Sequence, residues 1–294
     1  MYILGIESST KRLNIAISRE NRLLYQNSLF KDSVFMSRII PLIDRSLKKV
    51  KIDLSSIDVF SVDTGPGDFT GTRIGISVAR SFSMANKRPV FGIPGLDIFA
   101  TGLFGNNAYR IQSVIKKGFT VILFPVLDVK HGELFFGIYE VSTVESKNAI
   151  ARITSGGTDY FIKKTIPGHL VECEKINDFF ENLIQKEGLM GISPVRNHVI
   201  FTGGTAFGSP ADLLTVIKKL KYNFILSKKS IFPEARFLNL CAFYRLLEQS
   251  GKSNKDRISR DLRGKIKGDS AVIPIYVREF VPFGRYDEKS TRGS

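Results

Sequence analysis

The first part of the chain alternates short apolar runs with brief polar turns, the pattern of β-strands joined by tight connections. Three segments, YILGIES, LNIAISRE and RLLYQNSLF, are predicted to form an antiparallel meander. The period then changes, because apolar residues between Phe35 and Val50 recur at steps of three and four. This predicts a helix over Ser33–Val50, with Asp32 or Ser33 as N-cap and a kink at Pro41.

Strands and helices continue to alternate through the rest of the chain, which predicts the α/β class. Each of two successive halves opens with strand, turn and strand, so we expect two domains, residues 1–106 and 107–294. The predicted elements are the strand Ile57–Val62, the helix Thr72–Asn86, the strand PVFGIP, the short helix Leu96–Phe104, the hairpin VILFPVLDV/ELFFGIYEV, an irregular region over Ser142–Pro194, the strand HVIFTGG and the helix Pro233–Gln249.

The charge of the chain is strongly positive, with 43 Lys and Arg against 28 Asp and Glu, a net +15 over 294 residues. Such a balance is typical of proteins that bind polyanions such as nucleic acid. The alternative is a widely spread excess that reflects only the base composition of the genome. The densest segment is predicted to be a mobile basic loop over Lys252–Lys267. Its candidate nucleic-acid contacts are Lys252, Lys255, Arg257, Arg260, Arg263, Lys265 and Lys267.

Cysteine and histidine usage excludes several classes of site. Cys173 and Cys241 are far apart and form no CxxC pair, which favours a reducing compartment over disulfides or zinc. The three histidines form no HExxH pair, so no metal site is predicted and no catalytic residue is assigned. The N-terminus lacks the features of a signal peptide, and no segment approaches the ~18 apolar residues of a membrane helix. We therefore expect a cytoplasmic location and no membrane contact.

The segment TGPGDFTGTRIG, Thr64 to Gly75, raises the question of a phosphate-binding loop, because it joins a predicted strand to a predicted helix. It fails both standard patterns. The GxGxxG pattern would require glycine at Thr70, and the P-loop would require a lysine that the segment lacks. Asp68 also places a negative charge in the loop. We interpret Gly65-Pro66-Gly67 as a tight turn with glycine available for positive φ.

Small residues also recur at four-residue steps along the helix that follows. They are Gly71, Gly75, Ala79 and Ser83. A ridge this smooth lets another backbone pack at close range. We expect it to contribute to a face that the two N-terminal helices, paired with each other, present to a partner.

The segment GPGDFTGTRIG resembles the GPGSFTGxRxG signature of the TsaB family of tRNA threonylcarbamoyladenosine biosynthesis proteins. ILGIESST, SRIIPLI, LDVKHGELFFGIYE and PIYVR resemble further segments of that family, in the same order. Asp68 and Phe35 depart from it, since the family usually has serine and often has histidine at these places. The chain is also longer than most relatives, notably at Asn107–Phe119, in the irregular region and in the basic loop.

The resemblance implies the actin-like ATPase superfold, two related domains with a nucleotide cleft between them. Active members carry glycine-containing phosphate hairpins, whereas the first hairpin here is Glu7-Ser8-Ser9-Thr10 and the second runs from Asp128 to Gly132. Gly203 and Gly204 are weak cofactor candidates for an adenosine turn, and a simple strand-to-helix turn is the alternative. ATP hydrolysis by this chain alone is not expected.

The resemblance also implies a function. The family provides a non-catalytic subunit that pairs with a TsaD-like catalytic subunit and, with a TsaE-like ATPase, supports threonylcarbamoyl transfer to tRNA. ATP and metal are expected on those partners. The alternative is an autonomous ATP-dependent phosphotransferase or a peptidase, and a homodimer of the isolated chain stays open. The expected partner interface comprises Gly65, Pro66, Gly67, Asp68, Phe69, Thr70, Gly71, Arg73, Gly75, Ala79, Phe35 and Ile39.

Overall fold

The computed structural model describes residues 1–30, 32, 35–129, 132–146, 149–176, 178, 198–205, 223–227, 232–250, 268–269 and 272–273. Within them the chain forms two mixed sheets with helices packed on both sides of the first, which confirms the predicted α/β class. The basic loop Lys252–Lys267 and the segment PIYVR lie outside the described residues. The division at residue 106 stays a prediction.

The first sheet has the strand order β3-β2-β1-β4-β5. The predicted meander is confirmed as β1, β2 and β3, whereas β4 and β5 run parallel to β1. The carboxyl ends of these parallel strands therefore meet at one edge of the sheet. The strands are β1 (Tyr2–Glu7), β2 (Arg12–Arg19), β3 (Arg22–Phe30), β4 (Val59–Asp63) and β5 (Val90–Ile93).

Two helices, α1 (Phe35–Val50) and α2 (Phe69–Asn86), cover the outer face of the first sheet. Alternate strand residues such as Leu4, Ile6 and Phe60 point into this layer, where they are fully buried. Helix α1 packs over β2 and β3, whereas α2 packs mainly over β4. Helix α1 continues through Pro41.

Helix α3 (Gly95–Lys116) is more than twice as long as the short helix predicted over Leu96–Phe104, so that prediction is wrong. The polar residues that suggested a linker are accommodated within the helix. Asn107 leaves helical geometry (φ −123°, ψ 15°), and its side-chain amide donates to the carbonyl of Leu103 and to Ser227 Oγ, each at 2.8 Å. The length expected as an insertion after Asn107 is the second part of this helix.

The second sheet has the order β11-β10-β6-β7-β9-β8 among the described residues. The β6–β7 hairpin was predicted, but the irregular region contains a second hairpin, β8–β9, so that prediction is wrong. Its turn is Gly156-Gly157, both at positive φ. The strands are β6 (Thr120–Asp128), β7 (Glu133–Ser142), β8 (Ala149–Ser155), β9 (Thr158–Glu172), β10 (His198–Gly203) and β11 (Asn223–Leu226).

Helices α3 and α4 (Ala235–Ser250) lie between the two sheets, in one core that contains residues of both. Asn239 of α4 ties the helix to the first sheet: Ser61 Oγ donates to its Oδ1 at 2.8 Å, and its Nδ2 donates to the carbonyl of Ala16 at 3.2 Å. Because α4 has neighbours on both sides, it is buried on more than one face.

Candidate functional site

The glycine loop joins β4 to α2 at the carboxyl edge of the first sheet, next to the turn that follows β1. Gly65 adopts a φ of +83°, a conformation that favours glycine. Its carbonyl accepts a 2.7 Å hydrogen bond from the amide of Gly95. Gly65 and Pro66 are buried, whereas Gly67 to Thr70 are exposed. The predicted tight turn is confirmed.

Gly67 is required for a different reason from Gly65. Its φ is not positive, so the expectation of a left-handed conformation at this residue is wrong. A Cβ atom there would lie 2.0 Å from the carbonyl oxygen of Ser9, closer than any real contact. The same oxygen accepts a 2.6 Å hydrogen bond from the amide of Asp68. The loop therefore lies directly on the first hairpin.

The first hairpin is closed by two carboxylates of the chain itself. Glu7 Oε1 accepts from the amide of Ser9 at 2.9 Å, and Ser9 Oγ donates to Asp63 Oδ2 at 2.7 Å. Asp63 Oδ1 accepts from the amide of Gly65 at 2.7 Å and so forms an Asx-type turn. Both carboxylates are fully buried. They occupy amides that a phosphate hairpin presents to its ligand, and their charge opposes a phosphate.

The amino end of α2 is capped by Asp68. Asp68 Oδ1 accepts from the amide of Thr70 at 3.1 Å, so the helix begins at Phe69 rather than at Thr72. The guanidinium of Arg73 lies over the ring of Phe69, 3.7 Å from its centroid. The exposed start of α2 is therefore ordered by contacts within the loop and the first turn.

The ridge of small residues on α2 is buried against the end of β1, so its assignment to a partner surface is wrong. Ser8 Oγ donates to the carbonyl of Gly71 at 2.8 Å, and a Cβ atom on Gly75 would lie 2.2 Å from the same Oγ. Ala79 is fully buried in the outer layer of the first sheet. The close approach that the glycines permit is between helix and strand within this chain.

The two N-terminal helices do present apolar side chains on their outer surface, but not all the predicted ones. Ile39 is buried under α1 and Phe35 is half-buried. Of the exposed large side chains on these helices, Phe69 was predicted, Met36 and Ile40 each follow a predicted residue, and Met84 lies further along α2.

The second glycine turn, at the end of β10, is also joined to a hairpin of the chain. Gly204 adopts a φ of +139°, and a Cβ atom there would lie 1.9 Å from the carbonyl oxygen of Val126. Thr205 Oγ1 accepts from the amide of Asp128 at 3.0 Å. These contacts explain the glycine at position 204 by close packing on β6. The assignment of Gly203 and Gly204 to a cofactor stays a prediction.

No described group of three or more His, Cys, Asp or Glu side chains is arranged to hold a metal ion. None of the described helices has the length and hydropathy to cross a bilayer. The two cysteines are free thiols.

Comparison with known proteins agrees with this geometry. A family model described as TsaD, tRNA N6-adenosine threonylcarbamoyltransferase, matches residues 34–161. The TsaB protein of Buchnera aphidicola subsp. Schizaphis graminum is 31% identical over 137 residues, covering 47% of this chain and 60% of that protein. TsaB of Escherichia coli K12 is 28% identical over 142 residues, covering 48% of this chain and 55% of that protein. The chain is therefore similar to TsaB proteins over about half of its length.

A solved structure extends the similarity to the fold of the whole chain. YeaZ from Pseudomonas aeruginosa covers 94% of this chain and 99% of its own length, with a TM-score of 0.60 at 19% identity. Two mixed sheets flanked by helices, shared with YeaZ, confirm the actin-like α/β fold that the sequence resemblance implied. The sequence matches to the two TsaB proteins cover little more than half of each relative's length.

Proposed function

We propose that this chain is a non-catalytic subunit in the biosynthesis of threonylcarbamoyladenosine in tRNA. It pairs with a TsaD-like catalytic subunit and, with a TsaE-like ATPase, supports threonylcarbamoyl transfer to the adenosine next to the anticodon. The names of the TsaB relatives support the pathway. The assembly works in the cytoplasm, and ATP and metal belong to the partner subunits.

The observation that carries the non-catalytic role is the closed first hairpin. Glu7 and Asp63 accept the hydrogen bonds of Ser9 and Gly65, so donors that a phosphate would use are engaged within the chain. Opening the hairpin for a phosphate would leave two buried carboxylates without these bonds, at about 1–3 kcal/mol for each group. A second negative charge would then be brought beside them.

The surface that we assign to the partner lies on the outer side of α1 and α2. Met36, Ile40 and Met84 are between 47% and 77% exposed, which is unusual for large apolar side chains. Phe69 and Arg73 extend this surface to the glycine loop. The same surface serves a homodimer when the catalytic subunit is absent. The basic loop Lys252–Lys267 adds non-specific affinity for tRNA once the complex has formed.

The direct test is co-purification of tagged chain with the TsaD-like protein of the same genome. Met84→Glu and Met36→Glu place charges on the outer surface of α2 and α1, and we expect each to abolish co-purification while the chain stays folded by circular dichroism. Tyr109→Glu is the matched control, because Tyr109 is 87% exposed but lies on α3. Retention of the partner by both methionine variants would contradict the assigned surface.

The proposed activity has its own assay. Full threonylcarbamoylation of tRNA is expected only when this chain, the TsaD-like protein and the TsaE-like protein are combined. Replacing four basic residues of Lys252–Lys267 with glutamine should flatten the salt dependence of tRNA binding by the complex. Phosphotransfer or peptide cleavage by the isolated chain would favour the alternative of an autonomous enzyme.

A further inference from the structure

A cavity of about 440 Å³ lies between the two sheets. Its walls come from the end of β5, the first turn of α3, the strands β8 and β9, and helix α4. Its volume falls in the lower part of the range of sites for small molecules, about 300–1,000 Å³. No residue between Thr64 and Gly75 lines it, so the proposed subunit function does not use it.

One cationic group of the cavity, the Lys164 ammonium, is held in an ion pair. Lys164 Nζ donates to both carboxylate oxygens of Asp97, at 2.7 and 2.9 Å, and Tyr139 Oη donates to Asp97 Oδ1 at 2.7 Å. Asp97 is therefore saturated and has no remaining role toward a cationic ligand. The Asp97 carboxylate offsets the charge of the Lys164 ammonium, and the ion pair fixes the Lys164 side chain on the β9 wall.

The other cationic group is the guanidinium of Arg245 on α4, and only one of its nitrogens makes hydrogen bonds to the described residues. Arg245 Nη1 donates to the carbonyl of Gly92 at 2.9 Å and to Asp269 Oδ2 at 3.2 Å. Among the described residues, the hydrogen bonds of this side chain use Nη1 alone. A guanidinium has five N–H donors in a planar fork, so donors on Nη2 and Nε remain for a carboxylate.

Glu248 follows Arg245 by three residues on α4 and lines the same cavity. In the part of the chain that the structure describes, its carboxylate accepts no hydrogen bond and forms no ion pair. Arg245 and Glu248 are neighbours on one helix face but do not pair with each other. Burial, followed by the charge of Glu145, raises the pKa of Glu248, so a bound ammonium would favour its charged form.

The remaining lining is apolar or unreactive. Ile93, Pro94, Ile150 and Pro167 supply the apolar surface. Burial raises the pKa of the Cys241 thiol to about 12, which keeps it protonated at neutral pH. The cavity is therefore built to bind rather than to catalyse.

We propose that this cavity binds a free α-amino acid with a small or medium apolar side chain. The ligand carboxylate is received by the Arg245 fork beside Lys164, the ammonium by Glu248, and the side chain by the apolar wall. An acceptor and a donor one helical turn apart, unpaired with each other, match the two charges of a zwitterion. Because both sheets contribute walls, the bound amino acid stabilises their packing.

The test uses the full chain, purified without partners. Thermal melts with each protein amino acid at millimolar concentration identify the best ligand, and calorimetry measures its affinity. L-valine is compared with isovalerate and isobutylamine, which lack the ammonium and the carboxylate respectively. We expect each analogue to bind roughly tenfold or more weakly than L-valine, because one charged group of the site is then left without a partner.

Two variants locate the site. Glu248→Gln and Arg245→Gln should each weaken amino-acid binding roughly tenfold or more, whereas Lys163→Gln, the neighbour of Lys164 outside the cavity, should not. Arg245→Gln also loses the contacts to Gly92 and Asp269 and could unfold for that reason. In that case Glu248→Gln alone tests whether the amino acid binds at this site. The proposal is overturned if no amino acid raises the melting temperature, if isovalerate binds as tightly as L-valine, or if Glu248→Gln binds as the wild type does.

Discussion

The two glycine turns of this chain, Gly65–Gly67 in the first half and Gly203–Gly204 in the second, solve one packing problem in different ways. Each brings backbone against the carbonyl of a hairpin: Gly67 against Ser9 and Gly204 against Val126. The first turn is surrounded by the buried carboxylates of Glu7 and Asp63. The second is joined to its hairpin through the neutral hydroxyl of Thr205.

The difference shows what a glycine after a strand means. In both turns the missing side chain is explained by what a Cβ atom would strike, with no ligand required. Charge then separates the two, because carboxylates exclude a phosphate from the first turn, whereas the contacts described at the second do not. The first turn is consequently the stronger argument against an autonomous nucleotide site.

The largest effects are expected from filling the space that both glycines leave. Gly67→Val and Gly204→Ala should each lower the free energy of unfolding by about 3 kcal/mol or more, since rigid backbone lies at 2.0 and 1.9 Å from the new Cβ. Gly118→Ala is the control, because Gly118 has a positive φ, as Gly204 does, but a Cβ atom there would meet no atom within 4 Å. It should cost only about 1–2 kcal/mol. Urea denaturation that gives all three variants equal stability would contradict the packing explanation.

The sequence predicted the first half of the fold well, because strict alternation in β1 to β3 and helical spacing in α1 are local signals. The predictions failed where the structure is determined by contacts between residues that are distant in sequence. The β8–β9 hairpin carried a recognisable Gly156-Gly157 turn, but lysines within β9 concealed the strand. Asn107 suggested a linker because its partner, Ser227, is remote in sequence.

The candidate site was also predictable only in part, because only some of its contacts join residues that are close in sequence. The cap at Asp68 and the Asx turn at Asp63 depend on residues two positions away, so the sequence contained them. The bridge from Asp63 to Ser9 joins two different strands and appears only when β1 and β4 pair. Burial of the ridge likewise required knowing that Ser8 faces Gly75.

A substitution on the ridge of small residues tests whether this face of α2 packs within the chain or binds the catalytic subunit. Gly75→Leu should destabilise the chain by about 1–3 kcal/mol, because the larger side chain overpacks the contact with Ser8. Ser77→Leu, on the exposed face of the same helix, is the control and should have little effect. If Gly75→Leu melts as the wild type does but no longer binds the catalytic subunit, the ridge is a partner surface after all.

Weakening one acceptor in each turn compares their polar contacts. Glu7→Gln keeps an acceptor oxygen for Ser9 but removes its buried negative charge, and should cost about 1–3 kcal/mol. Thr205→Val removes only the neutral acceptor of the Asp128 amide and should cost about 1 kcal/mol. Chemical denaturation measures both. A larger loss for Thr205→Val would reverse the ranking of the two turns.

The smallest effects are expected at Asp68. Asp68→Ala should cost about 0.5–2 kcal/mol through loss of the cap, whereas Asp68→Ser, which also caps helices, should be nearly neutral. Neither should gain affinity for ATP, because Glu7 and Asp63 remain in place. Thermal melts with and without ATP report both properties, and an ATP-dependent rise for the serine variant would show that Asp68 alone had closed the loop to phosphate.

Calorimetric titration of the isolated wild-type chain with Mg²⁺ and ATP tests the central claim most directly. Closure of the first hairpin by Glu7 and Asp63 predicts no saturable heat, with nucleotide binding appearing only after the TsaD-like and TsaE-like proteins are added. Saturable binding by the isolated chain, abolished by Gly67→Ala or Gly204→Ala in a folded variant, would contradict it.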